Sequence, residues 1–114
     1  MRVLLLVFTV LLYIGKASEL FNPHFKPHCN CIDKVSLGRS TWKLLHDIVN
    51  SVEREKTPYF VSMMDNLGKI YPCEECRLHI SEYIQEHPTE MTHEWLCTFH
   101  NAVNQRLNKK KFKC

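Results

Sequence analysis

The stretch Tyr71-Pro72-Cys73-Glu74-Glu75-Cys76 decides how the rest of this chain is read. It sets two cysteines three residues apart just behind a proline, as a chain entering a helix would. Proline suits the first helical position because its missing N–H would be unpaired there in any case. The free amides of a helix N-terminus favour negative charge, and so a thiolate at Cys73 or Cys76, while Glu74 and Glu75 act in the opposite sense. On its own a CxxC denotes a redox pair or half of a metal site, and nothing finer.

On either side of that stretch the apolar residues recur at helical spacing. Upstream, Thr57-Pro58 opens a helix with Phe60, Met63, Met64 and Leu67 as its stripe and Gly68 as its end. Before it, Leu37 to Glu55 reads as a helix capped by Ser40, with Trp42, Leu45, Val49 and Val52 at three- and four-residue steps. His46, four residues beyond Trp42, shares its face. Downstream, Pro72 starts a helix in which Cys76, Ile80 and Ile84 lie on one side, and which closes before Pro88. Thr92 caps a last helix with Trp95, Phe99, Val103 and Leu107 as its stripe. No segment alternates with period two, so the expected fold class is all-α, a four-helix bundle with short connections. His100, Asn101 and Asn104 sit close to the last stripe, where polar groups are costly unless paired. They form either a satisfied structural network or a row of donors and acceptors facing a planar, heteroatom-rich ligand.

The 114 residues allow one domain, and the first of them stand apart from it. Arg2, the 12 apolar or nearly apolar residues Val3 to Ile14, and the small residues of Gly15-Lys16-Ala17 read as a signal peptide over residues 1–17. The run falls short of the ~18 residues of a spanning helix, so an uncleaved anchor is the lesser reading. Residues 18–36, broken by Pro23 and Pro27, read as an extended, flexible arm carrying Cys29-Asn30-Cys31. All six cysteines lie beyond residue 17. An even count behind a secretory signal points to an oxidised framework in the secretory pathway, the endoplasmic reticulum lumen or outside the cell. With 15 basic and 12 acidic residues the charge is too mild to argue for a nucleic-acid partner, and none is expected. Lys109, Lys110, Lys111 and Lys113 read as a solvated helix end.

Three blocks together resemble the Erv/ALR family of flavin-dependent sulfhydryl oxidases. Leu37-Gly38-Arg39-Ser40-Thr41-Trp42 with His46 is similar to the family's first-helix signature. Tyr71 to Cys76 resembles its redox centre, and Trp95 to Lys109, with its HNxVN run, resembles its fourth-helix flavin signature. Order and separation agree across about residues 37–114, the expected oxidase domain. The resemblance implies a helical bundle holding FAD, with Cys76 as the sulfur nearest the flavin and Cys73 as the one that exchanges with incoming thiols. It implies that Gly38, Arg39, Trp42, His46, Tyr71, His100, Asn101, Val103, Asn104 and Lys109 bind the cofactor. It implies a structural disulfide between Cys97 and Cys114, 17 residues apart, a loop whose closure is worth on the order of 3 kcal/mol. It implies thiol-bearing protein substrates or an oxidoreductase such as a disulfide isomerase, dioxygen as the electron acceptor with hydrogen peroxide as product, and a homodimer. Dioxygen reduction suits a cofactor, because amino-acid side chains alone cannot carry it out.

Cys29 and Cys31 fall outside the three blocks. The family's arm-borne cysteine pairs suggest a shuttle disulfide that relays electrons from bulky substrates; the competing reading joins them to a second subunit. No metal site is expected, even with His24 and His28 nearby. The family pattern continues past Cys114 through a short helix that supplies a Trp and an Arg, so the domain is expected to be short at that end: an incomplete piece, a splice form or a member with a more open site. The alternative to an oxidase is a saposin-like, non-enzymatic binding module, whose cysteines should staple its outer helices.

Overall fold

The computed structural model of the chain describes residues 32–114. The expected signal peptide, most of the expected arm, and the Cys29/Cys31 pair therefore lie outside the described residues. Within them four α-helices follow one another: α1 (Lys34–Ser51), α2 (Thr57–Ile70), α3 (Glu74–Glu86) and α4 (His93–Arg106), with a 3₁₀ turn at Arg54–Lys56 ahead of α2. No strand occurs among the described residues. The all-α expectation holds.

Helix α1 begins earlier than its apolar period suggests. Asp33 is its N-cap, accepting from the amides of Val35 at 3.0 Å and Ser36 at 3.2 Å. A carboxylate at this position satisfies two otherwise orphaned donors and complements the helix dipole. Ser40 is accordingly interior, and residues 34–36, expected in the arm, are helical. At the other end α1 stops at Ser51, ahead of the expected Glu55.

Helix α2 starts at Thr57 with Pro58 in its first turn, yet the Thr57 hydroxyl does not cap it. It donates back to the Arg54 carbonyl at 2.6 Å. Nor does Gly68 end α2, which runs on to Ile70. Gly68 is buried at the crossing with α3, where a Cβ would stand 2.5 Å from Ser81 Oγ. The Ser81 hydroxyl donates to the Gly68 carbonyl at 3.1 Å. That carbonyl's helical partner, four residues on, would be Pro72, which has no N–H to give. Ser81 supplies the missing donor, and the absent side chain at Gly68 lets the helices approach closely enough for it to do so.

The core joins one face of each helix. Leu45 of α1, Phe60 and Met64 of α2, and Trp95, Leu96 and Phe99 of α4 are buried together with Met91, and Ile80, Tyr83 and Ile84 of α3 pack against them. Burying each such large side chain contributes about 1.5–3 kcal/mol. Helix α2 packs on α3, and α1 on α4. The α3–α4 connection is pinned by Trp95 Nε1, which donates to the His87 carbonyl at 3.3 Å. Thr92 caps α4 as expected, its Oγ1 3.2 Å from the Trp95 amide.

Helix α4 ends at Arg106, so Leu107 leaves the stripe and is exposed, and the lysine run belongs to a non-helical exposed tail rather than to a helix end. Asn108 turns the chain there with a positive φ of 54°, a conformation that asparagine adopts more readily than other non-glycine residues.

Candidate active site

The cysteine pair stands where α2 ends and α3 begins. Pro72 is not the first residue of α3, as the sequence suggests. It precedes Cys73, which is the N-cap in extended conformation, its sulfur accepting from the Cys76 amide at 3.3 Å. Cys73 and Cys76 are joined in a disulfide, with Cα atoms 5.2 Å apart. Arg77 Nη1 holds the Tyr71 carbonyl at 3.2 Å, and the Tyr71 hydroxyl meets Thr41 Oγ1 of α1 at 3.0 Å. The segment is therefore fastened both to its own helix and to α1.

In front of it opens a cleft of about 670 Å³, within the range of small-molecule and cofactor sites. Of the residues singled out in the sequence, it brings together Gly38, Arg39, Trp42, Tyr71, Cys73, Cys76, His100, Val103, Asn104 and Lys109. Cys73 is the more buried of the pair and Cys76 half-buried. The wall is largely apolar, built from residues such as Leu45, Met64, Leu67, Ile80 and Phe99, with Lys34, Arg39, Arg106 and Lys109 as cations and Glu75 as the carboxylate among the lining residues.

Two singled-out residues are not among those lining the cleft. His46 lies behind it, its Nε2 3.1 Å from His100 Nδ1. Asn101 binds the tail, accepting from the Phe112 amide at 2.7 Å and donating to the Phe112 carbonyl at 3.2 Å. Asn104 lines the cleft but also donates to the Lys110 carbonyl at 3.2 Å. The tail is closed by a disulfide between Cys97 and Cys114, with Cα atoms 5.9 Å apart.

The Trp42 and His100 rings are stacked, with centroids 4.0 Å apart and planes 9° apart. No ligand ring fits between them, so they act as one composite surface. Phe112 stacks on the His100 ring at 4.4 Å. Burial, with help from His46 and Lys109, lowers the His100 pKa from its ordinary value to about 4. Burial and the neighbouring His93 lower that of His46. Both imidazoles are neutral at pH 7, and a neutral pair can share one N–H···N hydrogen bond.

The chemistry of this site is that of a disulfide at a helix N-terminus, able to accept a thiolate's attack, beside a slot with a flat aromatic wall and a cationic rim. Such a slot fits FAD: apolar and aromatic faces for its rings, and Lys34, Arg39, Arg106 and Lys109 for its diphosphate. Sequence reasoning overlooked His79, also on the cleft wall, although its place three residues after Cys76 was readable.

Comparison with known proteins agrees with this geometry. A family model described as "Erv1 / Alr family" matches residues 39–114. The chain is similar to the FAD-linked sulfhydryl oxidase ERV1 of Arabidopsis thaliana, 34% identical over 92 residues, covering 73% of this chain and 48% of that protein. It is similar to the mitochondrial FAD-linked sulfhydryl oxidase ERV1 of Saccharomyces cerevisiae, 33% identical over 111 residues, covering 88% of this chain and 58% of that one. Among solved structures, the FAD binding domain of Erv1 from Saccharomyces cerevisiae superposes with a TM-score of 0.67 at 32% identity, covering 73% of this chain and 88% of that one. The chain spans about half the length of the curated relatives it matches.

These relatives correct the expected secretory location. The budding yeast relative, like one from Schizosaccharomyces pombe, is named mitochondrial. Among the described residues no helix is long and apolar enough to cross a membrane. The non-enzymatic, stapled module is not favoured either. The described disulfides are a CxxC and a tie from α4 to the tail, neither of which joins outer helices.

Proposed function

Because the chain belongs to the Erv1/Alr family, we propose that it is a flavin-dependent sulfhydryl oxidase, converting thiols to disulfides with FAD as cofactor and dioxygen as terminal acceptor. The observation that carries this reading is the Cys73–Cys76 disulfide on the wall of a cleft shaped and charged for a flavin dinucleotide. Bound FAD supplies acceptance of an electron pair from a thiolate and its transfer to dioxygen, giving hydrogen peroxide.

The protein's own residues do the rest. Cys73 takes the attack of a substrate thiolate, forming a mixed disulfide while Cys76 departs as a thiolate. The first turn of α3 favours negative charge at both sulfurs, since its amides are unpaired within the helix. Trp42 and His100 give the ring system a flat surface, Tyr71 and Val103 close the slot, and Asn104 offers its amide. Gly38 presents backbone at the rim, and His46 holds His100 from behind. We assign Asn101 an indirect part through the tail, which the Cys97–Cys114 bond keeps in place.

Thiol-bearing proteins are the substrate class in this reading, and a homodimer the assembly, for which the exposed apolar side chains Leu44, Tyr59, Ile70 and Leu78 offer surface. Cys29 and Cys31 are assigned the relay. Cys29→Ser/Cys31→Ser should slow oxidation of a reduced protein and spare that of dithiothreitol; equal rates on both would remove the relay. For the reading as a whole, purified protein should show a flavin band near ~450 nm and consume oxygen with dithiothreitol. That consumption should vanish in Cys73→Ser and in Cys76→Ser. Colourless protein that does not bind added FAD would refute it.

A further inference from the structure

We propose that His79 is the proton acceptor that keeps the Cys76 sulfur ionised once the Cys73–Cys76 disulfide has been opened. The inference rests on reading that pair as the thiol-exchanging centre. The two residues lie three apart on α3, which brings their Cβ atoms to about 5–6 Å on one helix face. Both line the cleft, and His79 is half-buried, so water reaches it only in part. His46 and His100 are taken up with each other. The His79 ring has no such partner among the described residues.

The charges around the cleft fit this role. On α3, Glu75 lies four residues before His79 and lines the same cleft. A carboxylate at that spacing shares the helix face of the ring. Glu74 is exposed on the same first turn, and Arg77 is directed to the Tyr71 carbonyl. Helix α1 contributes Lys34 and Arg39 to the lining, and α4 with the residues after it contributes His100, Arg106 and Lys109. Helix α2 contributes only Met64 and Leu67, neither of which titrates. Imidazole is the side chain whose ordinary titration falls between pH 5 and 8, so it can both take and release a proton under working conditions.

In the step itself the substrate sulfur attacks Cys73 Sγ. A bond forms between those two sulfurs, and the Cys73–Cys76 bond breaks with its electron pair going to Cys76 Sγ. The substrate sulfur is oxidised and Cys76 reduced. The proton of the substrate thiol ends on the His79 imidazole, leaving an imidazolium–thiolate pair on one face of α3. No further oxidant or reductant enters the balance.

The test uses the full chain as Cys73→Ser, a substitution that keeps a good N-cap, alone and combined with His79→Gln, His79→Asn or His79→Arg. Ionisation of Cys76 is followed against pH by thiolate ultraviolet absorbance and by alkylation rate, with circular dichroism confirming helix content. Loss of the imidazole should raise the ionisation midpoint by roughly one pH unit or more, with about tenfold slower alkylation near neutrality. His79→Arg should restore a low midpoint, because it keeps a cation; placed instead in the chain that retains both cysteines, it should remove the imidazole limb from the pH profile of oxygen consumption. Superimposable Cys76 titrations with and without His79 would overturn the proposal. The titration needs no flavin, so protein that shows the shift but never binds FAD would refute the oxidase reading and leave the His79–Cys76 pair standing.

Discussion

Replacing Gly68 by alanine tests the α2–α3 crossing, and the structure gives opposing terms from which to work its sign. In an open helix interior the change stabilises by about 1 kcal/mol through backbone entropy. At this position the new Cβ lies 2.5 Å from Ser81 Oγ, whereas the next nearest atoms, Ser81 N at 3.5 Å and Ile80 Cγ2 at 3.6 Å, are at ordinary contact distance. The hydroxyl must rotate away, which abandons the Gly68 carbonyl that Pro72 cannot serve. A buried acceptor left unpaired costs about 1–3 kcal/mol, and the remaining crowding about 1–3 kcal/mol more. The net expectation for Gly68→Ala is a loss of about 1–5 kcal/mol, read as a lower urea midpoint and a melting temperature several degrees lower. In the Ser81→Ala background the clashing atom and the hydrogen bond are already gone, so the same substitution should be neutral or stabilising. The two backgrounds should thus differ by about 2 kcal/mol or more in a double-mutant cycle. A Gly68→Ala variant that melts higher than wild type, or that shifts equally with and without Ser81, would show that Gly68 merely tolerates its place.

Three further outcomes follow from the tail and the histidines. Cys97→Ala/Cys114→Ala should lose on the order of 3 kcal/mol in non-reducing urea titrations, the closure entropy of a loop of this size, and an unchanged midpoint would deny the tie its structural role. His100 carries a folded pKa of about 4, below the ordinary 6.5, so the unfolded chain binds its proton more readily. Its contribution is complete above pH 6.5 and is lost as the pH falls through 4, a decline on the order of 1–2 kcal/mol after discounting for solvent screening. That decline should flatten in His100→Asn when stability is measured across this window. Asn108→Val should cost about 1–2 kcal/mol because its φ of 54° opposes a β-branched side chain, whereas Asn108→Gly should leave the melting temperature within a degree or two.

Much of the fold was legible because apolar spacing reports which face of a helix is buried. The stripes through Leu45, Phe60, Met64, Trp95 and Phe99 all reach the core. What escaped were places where one residue answers to a distant partner. Gly68 reads as a helix end in sequence, and only the neighbouring helix shows that it is a crossing point. Asp33 was hidden among residues with no apolar period, although its capping chemistry was available to be read. Within the site, His100 and Asn104 are four apart and both reach the cleft. Asn101 is rotated by about 100° from His100 along a 3.6-residue turn and therefore serves the tail. Adjacent letters in a motif can face different neighbours, and the HNxVN run does so here.

Cys73 terminates a helix with sulfur where serine or aspartate would be usual, and this bears on how strongly the pair attracts electrons. Oxidised, it gives the α3 terminus a neutral and weak acceptor; a thiolate formed there on reduction would be favoured by the helix dipole by about 0.3–1 kcal/mol. For a two-electron couple that preference amounts to roughly 5–20 mV in the oxidising direction. The midpoint potential of the centre is thus partly a property of peptide geometry, and it would fall if that end of the helix frayed.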